Sequence, residues 1–328
     1  MNWIEEFLNM IYPLSGKNLR IEQAYILKNN NLPKSIYKYR VVNENSIKNL
    51  EEDTIWLADP SSFNDPYDCA HSVDFSRVHK YRNSAFFSEY FEGEGSDIKL
   101  NKEQKDEVST SEDPISYLID ILFSEKTLQQ REEFKSIFSD TQNAMHMNMS
   151  HQNSKIIASG FKLCSFSERN DSILMWSHYS SYHQGFCIEY DIESIPYSDY
   201  RRRFLYPTIY SDEMFDATEH FMRDIDDENF NNLYLSLAAL IKARDWEYEK
   251  EWRLVFANSV FEKERAYKMG KPKMVYLGAK IGQLEQEKLL EICSRREIPV
   301  KKMRPKYNSF TLEPVSVNEA DQSFFKEA

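Results

Sequence analysis

Between Trp246 and Arg253 the chain reads Trp-Glu-Tyr-Glu-Lys-Glu-Trp-Arg, with acidic and aromatic residues alternating apart from Lys250. Extended backbone sends successive side chains to opposite faces. The pattern therefore predicts a strand with Glu247, Glu249, Glu251 and Arg253 on one side and Trp246, Tyr248, Trp252 and Leu254 on the other. A core strand cannot bury three carboxylates without partners for them. That face is either a solvated sheet edge or the wall of a polar site, and the flanking tryptophans, which anchor the segment, favour the site.

The chain around it has 328 residues, enough for one large domain or two ordinary ones. Its 41% apolar content supports a real core rather than global disorder. A net charge of −12 argues against a nucleic-acid binder that uses its whole surface, while leaving a local basic groove open. Cys69, Cys164, Cys187 and Cys293 have no paired spacing, so they read as reduced thiols rather than a disulfide or zinc framework. The N-terminus carries acids where a signal peptide has bases, and no apolar run reaches membrane-span length. The expectation is a soluble cytoplasmic protein with no membrane contact.

Trp3, Ile4, Phe7, Leu8 and Ile11 share a helical face, which predicts a docked N-terminal helical segment over 1–30. A strand is expected from Ser35, a helix over Asn45–Leu50 and a second strand over Thr54–Ala58. The turn-forming residues from Asp59 to Asp68 predict an ordered loop. Residues 80–155 read as a mostly helical insertion. Within it, Glu89–Asp113 is expected to be an exposed loop or insertion, and Asp113-Pro114 a helix start. Strands follow at Phe161–Phe166 and Gly185–Asp191, then a periodic helix over Leu233–Ile241, then a strand–helix–strand unit from Met274 to Val300. Short strands separated by long helix-rich intervals predict an α+β body with a small mixed or antiparallel sheet. The main domain is expected over 31–315 and a C-terminal tail over 316–328.

The ordered set Tyr37-Lys38-Tyr39-Arg40, the loop with Phe63-Asn64-Asp65-Pro66, Cys164-Ser165-Phe166-Ser167, Met175-Trp176-Ser177-His178-Tyr179 and Glu249-Lys250-Glu251-Trp252-Arg253 resembles the bacterial family DUF2971 over roughly 36–310. That uncharacterised family brings no activity with it. More loosely, the order Arg, Ser-x-Ser, Glu-x-Glu resembles the layout of ADP-ribosyltransferases, in which a split sheet clamps NAD. The likeness implies that Arg40 holds the pyrophosphate and Ser165 the nicotinamide side. It gives Glu251 the ribose hydroxyl and the oxocarbenium-like centre, and Glu249 the acceptor. The intervals between these groups are long and require insertions. No metal is expected, NAD is the co-substrate, and a protein or nucleic acid would accept ADP-ribose, as in a toxin or phage-defence effector.

Each residue also has a plainer reading. Arg40 can pair structurally with Asp65, Asp68 or the acidic segment, and Ser165 and Ser167 can be ordinary strand residues. Asn64 and Asp65 either shape the loop through an Asx turn or face a ligand. Trp176 is either core or ligand wall, and Tyr179 and Arg253 are ligand-binding candidates. His178 suits general acid–base chemistry, but its five-residue distance from His183 does not suit a metal-binding helix face. Two other functions compete with the transferase. One is a hydrolase or nuclease using Asp65, Asp68, Glu249 and Glu251 with a divalent cation. The other is an aromatic-lined module that binds a nucleotide or partner without turnover.

Overall fold

The computed structural model describes residues 2–92, 99–111, 113–223, 227–258 and 265–321. Helix α1 (Trp3–Ile11) starts in a reciprocal capping box between Asn2 and Glu5 and buries Phe7, Met10 and Ile11. Trp3 stacks on Trp252 with ring centroids 6.2 Å apart, so the segment docks on the body as expected. Helix α2 (Ile21–Asn31) contributes Lys28, which is fully buried. Strand β1 (Ser35–Arg40), helix α3 (Glu44–Glu51) capped by Asn43, and strand β2 (Thr54–Trp56) follow as predicted. The loop from Asp59 to Asp68 is ordered by a 3-10 turn at Pro60–Ser62 and by burial of Asp65 and Asp68. It leads into the short β3 (His71–Ser72).

The expected insertion consists of α4 (Phe75–Glu92), α5 (Lys102–Thr110), α6 (Pro114–Leu122) and α7 (Leu128–Ser159). Asp113 caps α6 with Pro114 in its first turn. Of the two readings of Glu89–Asp113, exposed loop or insertion, the described part fits the second, since it carries the end of α4 and all of α5. An Asn101/Gln104 capping box starts α5, and a single apolar residue, Val108, seats it against Phe87 and Leu118. Residues 93–98 and 112 of that stretch lie outside the described residues.

Strand β4 (Phe161–Ser167) and helix α8 (Ile173–Tyr179) come next. Ser181, Tyr182 and His183 then turn the chain with φ of 49°, 55° and 71°. Gly185 closes that turn, where a Cβ would overlap the Arg40 carbonyl, and β5 (Phe186–Asp191) begins. Helix α9 (Tyr200–Arg203), β6 (Leu205–Pro207), β7 (Ile209–Ser211), β8 (Phe215–Asp216) and α10 (Thr218–Phe221) are all short.

Two predicted elements differ. The helix over Leu233–Ile241 is a 3-10 segment, Tyr234–Ala239, that passes into strand β9 (Ile241–Ala243). Nor is Trp246–Arg253 strand throughout. Arg244–Glu249 is a 3-10 turn, Lys250 is left-handed with φ 44°, and β10 (Glu251–Ala257) starts only after it. One residue at positive φ breaks the two-residue alternation that the sequence pattern presupposes.

Strand β11 (Ala266–Lys268) pairs with β2. The predicted strand–helix–strand unit is β12 (Met274–Leu277), α11 (Gln283–Arg295) and β13 (Val300–Pro305), with β12 and β13 parallel. Strand β14 (Leu312–Val315) and α12 (Val317–Asp321) end the described chain, and residues 322–328 of the expected tail lie outside it.

Eight strands form one mixed sheet in the order β14-β13-β12-β5-β1-β4-β10-β6, alongside the helices an α+β body requires. One face carries Ile36, Phe166, Ile188, Trp252 and Leu254 and packs with residues of α3 and α11. By alternation the opposite face carries Tyr37, Tyr39, Ser165, Ser167, Glu251 and Arg253. β1 runs beside β5 over six paired residues and β4 beside β10 over seven. β1 and β4 themselves meet at one pair only, Tyr37 with Ser167. The sheet is thus parted near its middle.

Candidate functional site

At the β10 end of this parting, ionic groups from distant parts of the chain are buried together. The Arg253 guanidinium is fully buried. It donates to Glu251 through Nε and Nη2 at 3.0 and 3.1 Å, and to both oxygens of Asp68 at 2.7 and 2.9 Å. A further bond of 2.8 Å reaches the Ala239 carbonyl. Such forked geometry is what an arginine supplies and a lysine cannot. Lys242 enters from β9 and donates to Glu249 Oε2 at 2.5 Å and Glu251 Oε2 at 3.1 Å. Tyr179, at the end of α8, donates to Glu249 Oε1 at 2.5 Å.

Three carboxylates therefore face two cations, and the imbalance appears in their titration. Burial alone would raise the Glu251 carboxyl, but the charges of Arg253 and Lys242 outweigh it and hold the group at about 2. Burial also raises Glu249, where Lys242 opposes the effect and Glu251 adds to it, leaving the carboxyl above its ordinary range. Burial would lower Lys242, yet Glu251 and Glu249 keep it raised. Burial, reinforced by Glu249, raises the Tyr179 hydroxyl as well.

These groups border a cavity of about 150 Å³ whose walls include Asp68, Ser165, Lys242, Glu249 and Glu251. A second cavity, of about 530 Å³, is bordered by Arg40, Asn43, Lys48 and Trp56. Lys38, Tyr39 and Tyr179 line both, so the two adjoin at the parting of β1 and β4. Lys38 crosses that gap to donate to the Ser165 carbonyl at 2.7 Å. The Arg40 guanidinium has no hydrogen-bond or ion-pair partner among the described residues, so the structural pairing with Asp65, Asp68 or the acidic segment is not made. The larger cavity thus sets Lys38, Arg40 and Lys48 against Glu52, which pairs with Lys48 at 4.0 Å, while the smaller sets three carboxylates against Lys38 and Lys242.

The remaining expected residues divide. Asn64 lines the smaller cavity beside Tyr179. Ser167 lines it too, but its hydroxyl is committed to the Glu249 carbonyl at 2.6 Å. Asp65 is turned away: Oδ1 accepts from the Tyr67 amide at 2.9 Å in an Asx turn, and Oδ2 has no partner among the described residues. Asp68 takes the place expected of Asp65. Trp176 is core, its ring edge-on to Tyr39 and its Nε1 donating to the Asn170 carbonyl at 2.6 Å. Arg253 lies beneath the cavity rather than in its wall. His178, the expected acid–base residue, is exposed against Tyr248 at 2.9 Å and lines neither cavity.

Lys242 was not singled out from the sequence, although a lysine directly after the apolar run Leu237-Ala238-Ala239-Leu240-Ile241 is a signal of a buried, paired charge. Its ammonium occupies the point where Glu249 and Glu251 converge, with Asp68 at 4.0 Å. Among the described residues no group of three or more His, Cys, Asp and Glu is arranged to hold a metal ion.

A family model described as a protein of unknown function (DUF2971) matches residues 175–254, from Met175 in α8 through Leu254 in β10. The match bears out the resemblance read from the motifs and spans Tyr179, Lys242, Glu249 and Glu251. Arg40 and the Asn64 loop lie outside the matched stretch. No curated protein and no solved structure matches the chain. Among the described residues no helix is long and apolar enough to cross a membrane.

Proposed function

We propose that the protein is an ADP-ribosyltransferase-like enzyme that takes NAD as its donor. The observation that carries this reading is the pair of adjoining cavities of opposite charge at a parted sheet. Arg40, unpaired among the described residues, faces the larger one, and a buried surplus of carboxylate faces the smaller. Together they fall in the usual size range of ligand clefts, about 300–1,000 Å³. In the proposed pose Arg40 forks the pyrophosphate, with Lys38 adding positive charge. The nicotinamide ribose lies towards Ser165 and the carboxylates.

As the glycosidic bond breaks, its electron pair leaves with the nicotinamide nitrogen, and positive charge develops on the ribose ring. The carboxylate surplus stabilises that charge. The attacking acceptor hydroxyl or amine forms the new bond and loses its proton to Glu249. A raised pKa suits Glu249 to this step, because a base works best when its pKa approaches the operating pH. Glu251 is assigned a holding part: Arg253 supplies two bonds, Lys242 a third and Ser165 adds another, which fills the lone pairs of a carboxylate.

A divalent-metal hydrolase at the same residues is less well supported, since Lys242 stands where the cation would sit. The test is chromatographic detection of nicotinamide released from NAD, alongside thermal stabilisation by NAD. Release by the parent protein and its loss in Glu249→Gln support the assignment. Stabilisation without release would favour a binding module, and neither effect would remove NAD as the ligand.

A further inference from the structure

On the other side of α8 from the acidic cavity, the β13–β14 hairpin borders a groove of about 1020 Å³. Lys280, Lys302, Arg304 and Lys306 all line it, and among the described residues no aspartate or glutamate does. In a chain of net charge −12 that is a marked local reversal. Two of the four cations have partners outside the groove: Arg304 has Glu313 at 2.6 Å and Glu319 at 3.6 Å, and Lys302 has Gln286 at 2.8 Å among others. Lys280 and Lys306 have no ion-pair partner among the described residues.

The hairpin tip then presents two large rings to solvent, Tyr307 at 92% and Phe310 at 99% exposure. Exposed rings at a turn have no role in the core beneath, where Met303 and Leu312 already fill the space between the hairpin and Trp176. Aromatic faces beside a basic groove match the chemistry of an unpaired nucleic-acid strand, with phosphates on the lysines and bases on the rings. A membrane-docking tip would need the rings but not the concave basic groove behind them.

We infer that this groove binds single-stranded nucleic acid, a few nucleotides at a time, with Lys280 and Lys306 on the backbone and Tyr307 and Phe310 stacking on bases. The inference does not rest on the NAD reading. It would nonetheless set an acceptor strand close to the proposed donor cleft, because Ile173 lines the groove while Met175 and Tyr179 line the acidic cavity.

The test uses the full chain and fluorescence anisotropy with labelled twelve-residue oligo-dT and oligo-U, and with a DNA duplex of equal length. Saturable single-strand binding is expected, weakening about 7-fold between 50 and 200 mM salt if Lys280 and Lys306 neutralise two phosphates. Lys280→Glu with Lys306→Glu should lower affinity at least about tenfold. Tyr307→Ala with Phe310→Ala should lower it by about 5-fold or more. All four residues are on the surface of the groove or tip, so unchanged far-UV dichroism and melting would show that the variants fold. No binding to either oligonucleotide, equal binding of duplex and single strand, or binding indifferent to both double variants would overturn the inference. So would ring-dependent co-sedimentation with phosphatidylserine vesicles in the absence of oligonucleotide binding.

Discussion

Glu249 and Glu251 share one ammonium, that of Lys242, at 2.5 and 3.1 Å, yet their acidities move in opposite directions. The difference is Arg253, which forks Glu251 and does not reach Glu249. Glu251 is depressed from an ordinary 4.5 to about 2, so its ionised form is favoured by the fold. Its contribution is fully present above pH 4.5 and is lost as pH falls through 2. The linked free energy is on the order of 3 kcal/mol. Chemical denaturation of the parent between pH 5 and 2 should show that loss, and Glu251→Gln should flatten it while lowering stability at pH 7. An acid limb unchanged by the substitution would show that the Arg253 fork does not hold this carboxylate.

Glu249 has the reverse sign. Its raised pKa means that the neutral form is the one the fold favours. Stability from this group is complete below the unfolded value near 4.5 and declines as pH rises through the folded value. Glu249→Gln keeps the shape, still accepts from Lys242 or Tyr179, and removes a buried charge. At pH 7 it should be neutral or stabilising in urea titration while abolishing nicotinamide release. A variant that is both clearly destabilised and still active would reverse the parts assigned to the two glutamates.

These opposite roles explain what the sequence could and could not yield. The three-carboxylate run marked the right place, because so much charge beside tryptophans demands partners. Its alternation did not survive, since Lys250 adopts a left-handed backbone that no spacing rule reveals. Glu249 and Glu251 still converge, but across a 3-10 turn rather than along a strand. The partners were harder to read. Asp68 and Arg253 are 185 residues apart, and Asp65 looked equally good until the loop turned it inward. The βαβ unit, the capped α6 and the first strands were legible because each is encoded locally. The helix expected over Leu233–Ile241 was not, because its apolar spacing does not separate a helix from a 3-10 segment that runs into a short strand.

Arg40 offers a different kind of test, because no described residue hydrogen-bonds or ion-pairs with its guanidinium. It borders the larger cavity. Arg40→Ala should therefore leave stability within about 1 kcal/mol of the parent, since no described pairing is lost. The same change should weaken NAD binding by about 10- to 100-fold if the side chain forks the pyrophosphate. Isothermal titration with NAD and with nicotinamide riboside separates the cases. Loss for NAD alone supports a phosphate contact, whereas equal loss for both would place the defect elsewhere in the cleft.

Lys28 tests how far the body depends on a single buried ammonium. Its three protons meet three carbonyls, those of Arg202, Arg203 and Leu205, at 3.1, 2.5 and 2.9 Å. The rings of Tyr25 and Tyr206 lie 4.9 and 4.5 Å from it. Burial and the nearby Arg203 and Arg202 lower its pKa, so the tripod of acceptors is what offsets an otherwise unfavourable position. Lys28→Met would match the stem but leave the carbonyls at the end of α9 without a donor, costing about 3 kcal/mol in urea titration. Lys28→Arg should not restore stability, because a planar fork cannot reproduce a three-way grip in the same space. An arginine variant as stable as the parent would mean that charge alone, rather than the tripod, fastens α2 to the turn between α9 and β6.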